Sequence, residues 1–309
     1  MVQPKPVNTI AVIGAGIMGR GIAHAAALGG FRTILEDILP ATLRRAESEI
    51  RGNLDKGVEL GKLSREEAEA AFRRIEFGTS VEDAARSAEL VIEAVPEEME
   101  SKLEIFTMLD KICRPDTIIA SNTSSLSVTE LSSITYRAKK CVGMHFFNPV
   151  HKMKLLEVVR ALETDEETLA TAVEVGKRMG KEVVVIREAP GFVTSRINAM
   201  IGNEAFYMLQ EGIASAEDID KAIKYGLNHP MGPFEMVDLV GLDTRLHVLE
   251  YLHKTLGEKF RPAPLLVQYV KAGRLGRKSG RGVYEYPEQR QSAAAPGEVT
   301  GTGPEKKFR

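Results

Sequence analysis

The chain has 309 residues, 43% hydrophobic and 27% charged, a length that predicts two domains because single hydrophobic cores rarely grow past ~250–300 residues. Its 41 basic and 43 acidic side chains give a formal net charge of -2, which excludes a global field for gathering nucleic acid or anionic membrane, so any anion site must be local. No apolar stretch approaches the ~20 residues of a membrane helix. Only nine residues precede the apolar run that starts at Ile10, and the two cysteines, Cys113 and Cys141, stand in no CxxC or zinc spacing. A cytoplasmic protein without a signal or transit peptide is therefore expected.

In chain order, a short apolar strand, Ile10–Ile13, leads into Gly14-Ala15-Gly16-Ile17-Met18-Gly19. An alanine-rich helix follows to about Leu28, and a second strand, Thr33–Leu35, ends on Glu36-Asp37. Pro40 to Arg74 reads as two long, highly charged helices. Apolar strands follow at Leu90–Ala94, Thr117–Ala120, Val142–Met144, Leu155–Val159 and Val183–Ile186, with helical patterns at Glu97–Ile112 and Glu166–Met179. Alternating short strands and helices predict an α/β domain with a mainly parallel, doubly wound sheet. The pattern changes near Pro190. From Phe192 the apolar residues Ile197, Met200, Ile201, Met208 and Leu209 recur at helical spacing, and helices continue to about Ala272. The expected division is the α/β domain at 1–188, an all-helical domain at 189–286, and a disordered, composition-biased tail at 287–309.

Gly14, Gly16 and Gly19 form a G-x-G-x-x-G between a strand and a helix. The first glycine allows the tight turn, the second lets backbone approach a pyrophosphate, and the third lets helix pack on strand. A second strand ending in an acid about 20 residues on completes the Rossmann context. That acid accepts the adenosine ribose hydroxyls and repels a 2′-phosphate, so NAD is favoured. Glu36 and Asp37 both stand at the position, Asp37 being the better candidate. Arg32, Arg44 and Arg45 lie close enough in sequence to leave some NADP tolerance conceivable.

Of the six histidines, His145 closes a strand just before Phe146-Phe147-Asn148-Pro149. Ligands of open α/β sheets lie beyond the carboxyl ends of strands, which is where a working histidine belongs. Glu157, twelve residues later, interrupts an apolar strand, and a carboxylate there needs a partner. Pairing with His145 would fix its tautomer and stabilise an imidazolium, which suits the base that a dehydrogenase requires. The competing reading is a solvent-facing Glu157 on an edge strand and a structural His145. Ser121-Asn122-Thr123-Ser124-Ser125 follows another strand and offers hydroxyls and an amide, whereas Ser127 with Glu130 reads as a capping box.

With these pieces the sequence resembles the 3-hydroxyacyl-CoA dehydrogenase family over about residues 7 to 286. The resemblance rests on Gly14–Gly19, Ser121–Ser125, Gly143-Met144-His145-Phe146-Phe147-Asn148-Pro149, Pro190-Gly191-Phe192 and His229-Pro230-Met231-Gly232-Pro233-Phe234. It implies His145 as general base, Glu157 as its orienting carboxylate, and Ser124 as hydrogen-bond donor to the substrate oxygen. It further implies Gly14, Gly16, Ile17, Met18, Gly19, Asp37, Glu93, Asn122 and Asn148 around NAD, with no metal. The implied substrate is a (3S)-3-hydroxyacyl-CoA and the implied assembly a homodimer. Arg51, Lys56 and Lys62 are candidates for CoA phosphates, Lys56 foremost, although acids are interleaved with them. Many relatives carry asparagine where this chain has Ser195, so the substrate contact expected there is altered. Two rivals share the scaffold: a sugar-acid dehydrogenase of gulonate type, and a non-catalytic NAD or acyl-CoA sensor.

Overall fold

The computed structural model describes residues 2–287, so the segment expected to be a disordered tail lies, from residue 288 on, outside the described residues. The chain divides into two units, one running to Val193 and the other starting at Thr194.

The first unit is built on one eight-stranded sheet of order β3-β2-β1-β4-β5-β6-β7-β8. Its strands are β1 (Thr9–Ile13), β2 (Arg32–Glu36), β3 (Ile75–Gly78), β4 (Leu90–Glu93), β5 (Ile118–Ser121), β6 (Cys141–Phe146), β7 (Leu155–Arg160) and β8 (Glu182–Arg187). All pairings are parallel except β6 with β7. The helices are α1 (Ile17–Leu28), α2 (Pro40–Glu59), α3 (Arg65–Arg73), α4 (Val81–Arg86), α5 (Met99–Ile112), α6 (Val128–Ser133) and α7 (Glu166–Arg178). They cover both faces, and period-two alternation divides the strands between two cores. Ile10 and Val12 of β1 pack into the α1, α2 and α7 side, while Ala11 and Ile13 pack into the α4 and α5 side.

The sequence pattern missed β3. That strand is only four residues long, with a burial that runs from buried Ile75 to exposed Glu76, so neither an apolar run nor a clean alternation marks it. The antiparallel β6–β7 step matters most for function, because it places residues of two strands opposite each other.

The second unit is helical: α8 (Thr194–Gln210), α9 (Ala216–Gly226), α10 (Pro233–Val240), α11 (Leu242–Leu256) and α12 (Pro264–Lys271). Phe206 and Phe234 meet edge to face at 5.2 Å in its core. Of the apolar residues that marked α8 in the sequence, Met208 and Leu209 pack against that core. Ile197 and Met200 are exposed, and the buried face consists of Ala199, Gly202, Asn203, Ala205 and Phe206. The basic cluster near the end of the unit is structural. Arg274 donates to the Gly282 carbonyl, Lys278 pairs with Asp243, and Arg281 pairs with Glu285.

Candidate active site

The site begins at the carboxyl end of β1. Gly14 has φ +96°, and a Cβ there would lie 2.8 Å from the Ala94 carbonyl. A Cβ on Gly19 would stand 1.7 Å from the Gly14 carbonyl, so the helix could not pack this close with any other residue. Gly16 is different: its Cβ would meet nothing within 4 Å. Packing inside the chain does not require glycine there, but a ligand that must touch the backbone does. Gly16 is also the N-cap of α1, where no side chain caps and no acid occupies the first turn. The first-turn N–H groups of Ile17, Met18 and Gly19 are thus available to an anion, reinforced by the helix dipole. These features fit the pyrophosphate of a dinucleotide.

Asp37 closes this cradle. Its Oδ2 accepts from the Ala15 N–H at 3.0 Å and its Oδ1 from the Leu39 N–H at 2.9 Å. The acid at the end of β2 is thereby tied to the glycine loop. Ile38 and Leu39, the next two residues, and Ile17 at the head of α1 are exposed apolar side chains.

Three strands from β1 across the sheet, on β6, the antiparallel register with β7 sets His145 directly opposite Glu157. His145 Nδ1 lies 2.7 Å from Glu157 Oε2, with the histidine 5% and the glutamate 0% exposed. Two phenyl rings flank the imidazole, Phe147 at 4.4 Å and Phe192 at 5.6 Å between centroids. A buried carboxylate next to Nδ1 favours the proton on that nitrogen and leaves the lone pair on Nε2. This geometry is that of a general base with its orienting carboxylate.

Between cradle and dyad lies a network that sequence reasoning reached only in part. Lys102 of α5, 1% exposed, donates to Glu93 Oε1 at 2.7 Å and lies 3.3 Å from Glu97 Oε2. Glu93 also accepts from the Val95 N–H and, through Oε2, from the Ser121 hydroxyl at 2.6 Å. Glu97 Oε1 accepts from the Thr123 hydroxyl at 2.6 Å and the Ser124 N–H at 2.8 Å, with the Ser124 hydroxyl at 3.2 Å. The two acids respond oppositely. Burial holds the Glu93 carboxyl above its ordinary range despite Lys102 and its other donors. Burial pushes Glu97 up as well, but Lys102 and the Thr123 and Ser124 donors outweigh it and leave it below its ordinary range.

One buried ammonium therefore anchors the loop that carries Ser124. The signal was in the sequence: Met99, Lys102, Phe106 and Leu109 share one helical face, and a lysine on an apolar stripe needs buried acids. Asn122 completes the bracing, its Oδ1 accepting from the Phe146 N–H at 3.0 Å, which ties the β5 loop to the end of the dyad strand.

The remaining sequence candidates are more dispersed. Asn148 is exposed one residue beyond Phe147 and precedes a cis peptide bond to Pro149. Lys56 lies on α2, paired with Glu59 at 2.9 Å, and Arg51 covers the Phe72 ring at 3.8 Å. Ser195 belongs to the second unit, as the second residue of α8. Ser127 caps α6 by accepting from the Glu130 N–H, and its hydroxyl donates to Glu188. Among the described residues no cluster of His, Cys, Asp and Glu is arranged to hold a metal ion.

Comparison with known proteins then decides the family. The NAD-binding domain of 3-hydroxyacyl-CoA dehydrogenase matches residues 9–189, and the C-terminal domain of the same enzymes matches residues 191–286. The chain belongs to the 3-hydroxyacyl-CoA dehydrogenase family. A 3-hydroxybutyryl-CoA dehydrogenase of Bradyrhizobium diazoefficiens is 43% identical, covering 91% of this chain and 96% of its own. The mitochondrial hydroxyacyl-coenzyme A dehydrogenase of Sus scrofa is 39% identical over 91% of each chain. Among solved structures, the (S)-3-hydroxybutyryl-CoA dehydrogenase of Ralstonia eutropha superposes with a TM-score of 0.88 at 42% identity, covering 91% of this chain and 99% of its own. The protein is an NAD-dependent oxidoreductase of this family, on a Rossmann-type unit followed by a helical one.

Proposed function

We propose that this protein interconverts (3S)-3-hydroxyacyl-CoA, such as 3-hydroxybutyryl-CoA, and the 3-oxoacyl-CoA, with His145 as base. The observation that carries the reading is the 2.7 Å His145–Glu157 pair at the sheet edge that also holds the glycine cradle. When bound, the nicotinamide supplies the hydride acceptor. His145 Nε2 takes the proton of the 3-hydroxyl as the C3 hydride departs, and Glu157 stabilises the imidazolium that results. Ser124 turns its hydroxyl from Glu97 to donate to the oxygen that becomes the carbonyl, while the bond from its backbone N–H to Glu97 holds the residue at its post. In reverse, the imidazolium returns the proton to the oxygen. Phe147 and Phe192 keep bulk water from the ring, which strengthens the pair's electrostatics.

Gly14, Gly16, Ile17, Met18, Gly19 and Asp37 hold NAD, with Glu93, Asn122 and Asn148 shaping the nicotinamide end. Lys56 supplies a cation for CoA phosphate. A homodimer is supported by the exposed apolar residues of α8 and by the adjoining groove of ≈ 640 Å³, lined by Met200, Ile201, Tyr207, Met208, Leu227 and Pro233. The cytoplasm, where acyl-CoA and NAD are both present, is the proposed location.

The test is NADH oxidation at 340 nm with acetoacetyl-CoA. The unaltered protein should turn over, and His145→Gln should lose about 10³-fold in kcat, within the usual range for a general acid–base, with NADH affinity retained. Full activity in the variant would remove His145 from the mechanism.

A further inference from the structure

Glu36 is an acid that the mechanism does not use and the fold does not explain. It is the last residue of β2 and 2% exposed, yet its Oε1 is buried without a hydrogen-bond partner. By strand alternation it lies on the Ile34 face, toward the α4 and α5 core, where an apolar side chain would pack without penalty. Both strands beside it are fully paired, with Ile13 on β1 and Gly78 on β3 as its register partners.

Among the described residues no cation neutralises it. Arg32 of β2 is held by Glu76 of β3, Arg20 of α1 by Glu49, and Arg86 of α4 by Glu82. Asp83 of α4 adds only negative charge to that side. Burial, and then the charge of Asp37, raise its pKa to about 7. A carboxyl left uncompensated in this way normally serves something outside the chain.

Its position names that partner. Asp37, the next residue, is fastened to the glycine loop at Ala15, at the strand end where the adenosine ribose of a dinucleotide lies. We propose that Glu36 is a second cofactor-selecting carboxyl, which acts with Asp37 to exclude a dinucleotide bearing a phosphate on the adenosine 2′-oxygen. The proposal rests on the glycine loop being the dinucleotide cradle. Asp37 selects by accepting the ribose hydroxyls and by repulsion. Glu36 selects by repulsion alone, so its effect falls on NADPH and spares NADH. Because its ionisation spans neutral pH, the selection strengthens as pH rises from 6 to 8.

Titrations of the full-length protein with NADH and NADPH, followed by nicotinamide fluorescence at pH 6, 7 and 8, test this without reference to turnover. In Glu36→Gln the NADPH-to-NADH affinity ratio at pH 8 should rise roughly ten-fold, the size expected for one carboxylate within about 8 Å of a phosphate at a partly buried site. The excess pH dependence of the ratio in the unaltered protein over this variant should follow a single ionisation near neutrality. Glu36→Val, which suits the apolar face, should give the same ratio and guards against an effect of misfolding. Asp37→Asn should instead weaken NADH itself. An unchanged ratio in both Glu36 variants, or a parallel loss of NADH and NADPH, would overturn the proposal. Failure of the unaltered protein to bind NADH would overturn the cradle assignment along with it.

Discussion

The glycine loop after β1 and the His145–Glu157 pair at β6 and β7 sit on one sheet but are made in opposite ways. The loop is built from missing side chains: Gly14 and Gly19 admit close backbone packing, and Gly16 leaves open space at the head of α1. The pair is built from two buried titratable side chains whose meeting depends on register. A cradle of backbone N–H groups tolerates any dinucleotide phosphate and says nothing about the reaction. A buried acid–base pair, in the role proposed for it, sets the reaction and does not bind the cofactor. Lys102 and its two acids connect the regions, because Glu93 and Glu97 hold the loop on which Ser124 stands.

That division of labour can be broken deliberately. The largest effect expected short of the dyad is from Lys102→Met, which leaves Glu93 buried without its cation. Stability should fall by about 3–5 kcal/mol in urea unfolding, as when one partner of a buried pair is removed. Any folded fraction should lose turnover through the Ser124 loop, and a variant as stable as the parent would show that the network is not a bridge. Ser124→Ala should be milder: kcat for acetoacetyl-CoA reduction falls about ten-fold, the worth of one hydrogen bond to a charge-developing oxygen, with the NADH dissociation constant unmoved. A loss confined to NADH binding would assign Ser124 to the cradle instead.

The effect at the cradle's second acid leaves turnover with NADH untouched and is read here in stability. Glu36 has a folded pKa of about 7, raised above its ordinary value. Below pH 4 both folded and unfolded chains hold the proton, so the penalty is absent. It grows as the unfolded chain ionises first and is complete above pH 7. Glu36→Gln should therefore raise the melting temperature by a few degrees at pH 8, equivalent to about 2 kcal/mol, and by much less at pH 4. An equal gain at both pH values would mean that the gain comes from packing rather than charge.

How much of this was legible beforehand follows the same contrast. The cradle is local: strand, glycines, helix and acid fall within 28 residues of Thr9, so period and composition sufficed. Apart from β3, the first unit's other strands were also readable, since each carries a continuous apolar run. The pairing of His145 with Glu157 was readable only as a carboxylate needing a partner, because the residues alone do not say that β7 turns back antiparallel. The resemblance to the family supplied that expectation, and the register gives it a geometry. Lys102 escaped notice because a lysine in a charged helix reads as solvated until its apolar neighbours Phe106 and Leu109 are counted. On α8 the spacing indicated the helix but did not say which apolar residues face inward: Ile197 and Met200 are exposed, whereas Ala199, Ala205 and Phe206 are buried.

The central claim is that His145 and Glu157 act as one catalytic unit. A double-mutant cycle with His145→Gln, Glu157→Gln and the double variant, measured as single-turnover NADH oxidation by acetoacetyl-CoA, tests it most directly. If the pair is a unit, Glu157→Gln alone costs on the order of 10²-fold, and adding it to His145→Gln costs almost nothing more. If the two losses multiply instead, Glu157 does its work elsewhere and the pair is no dyad.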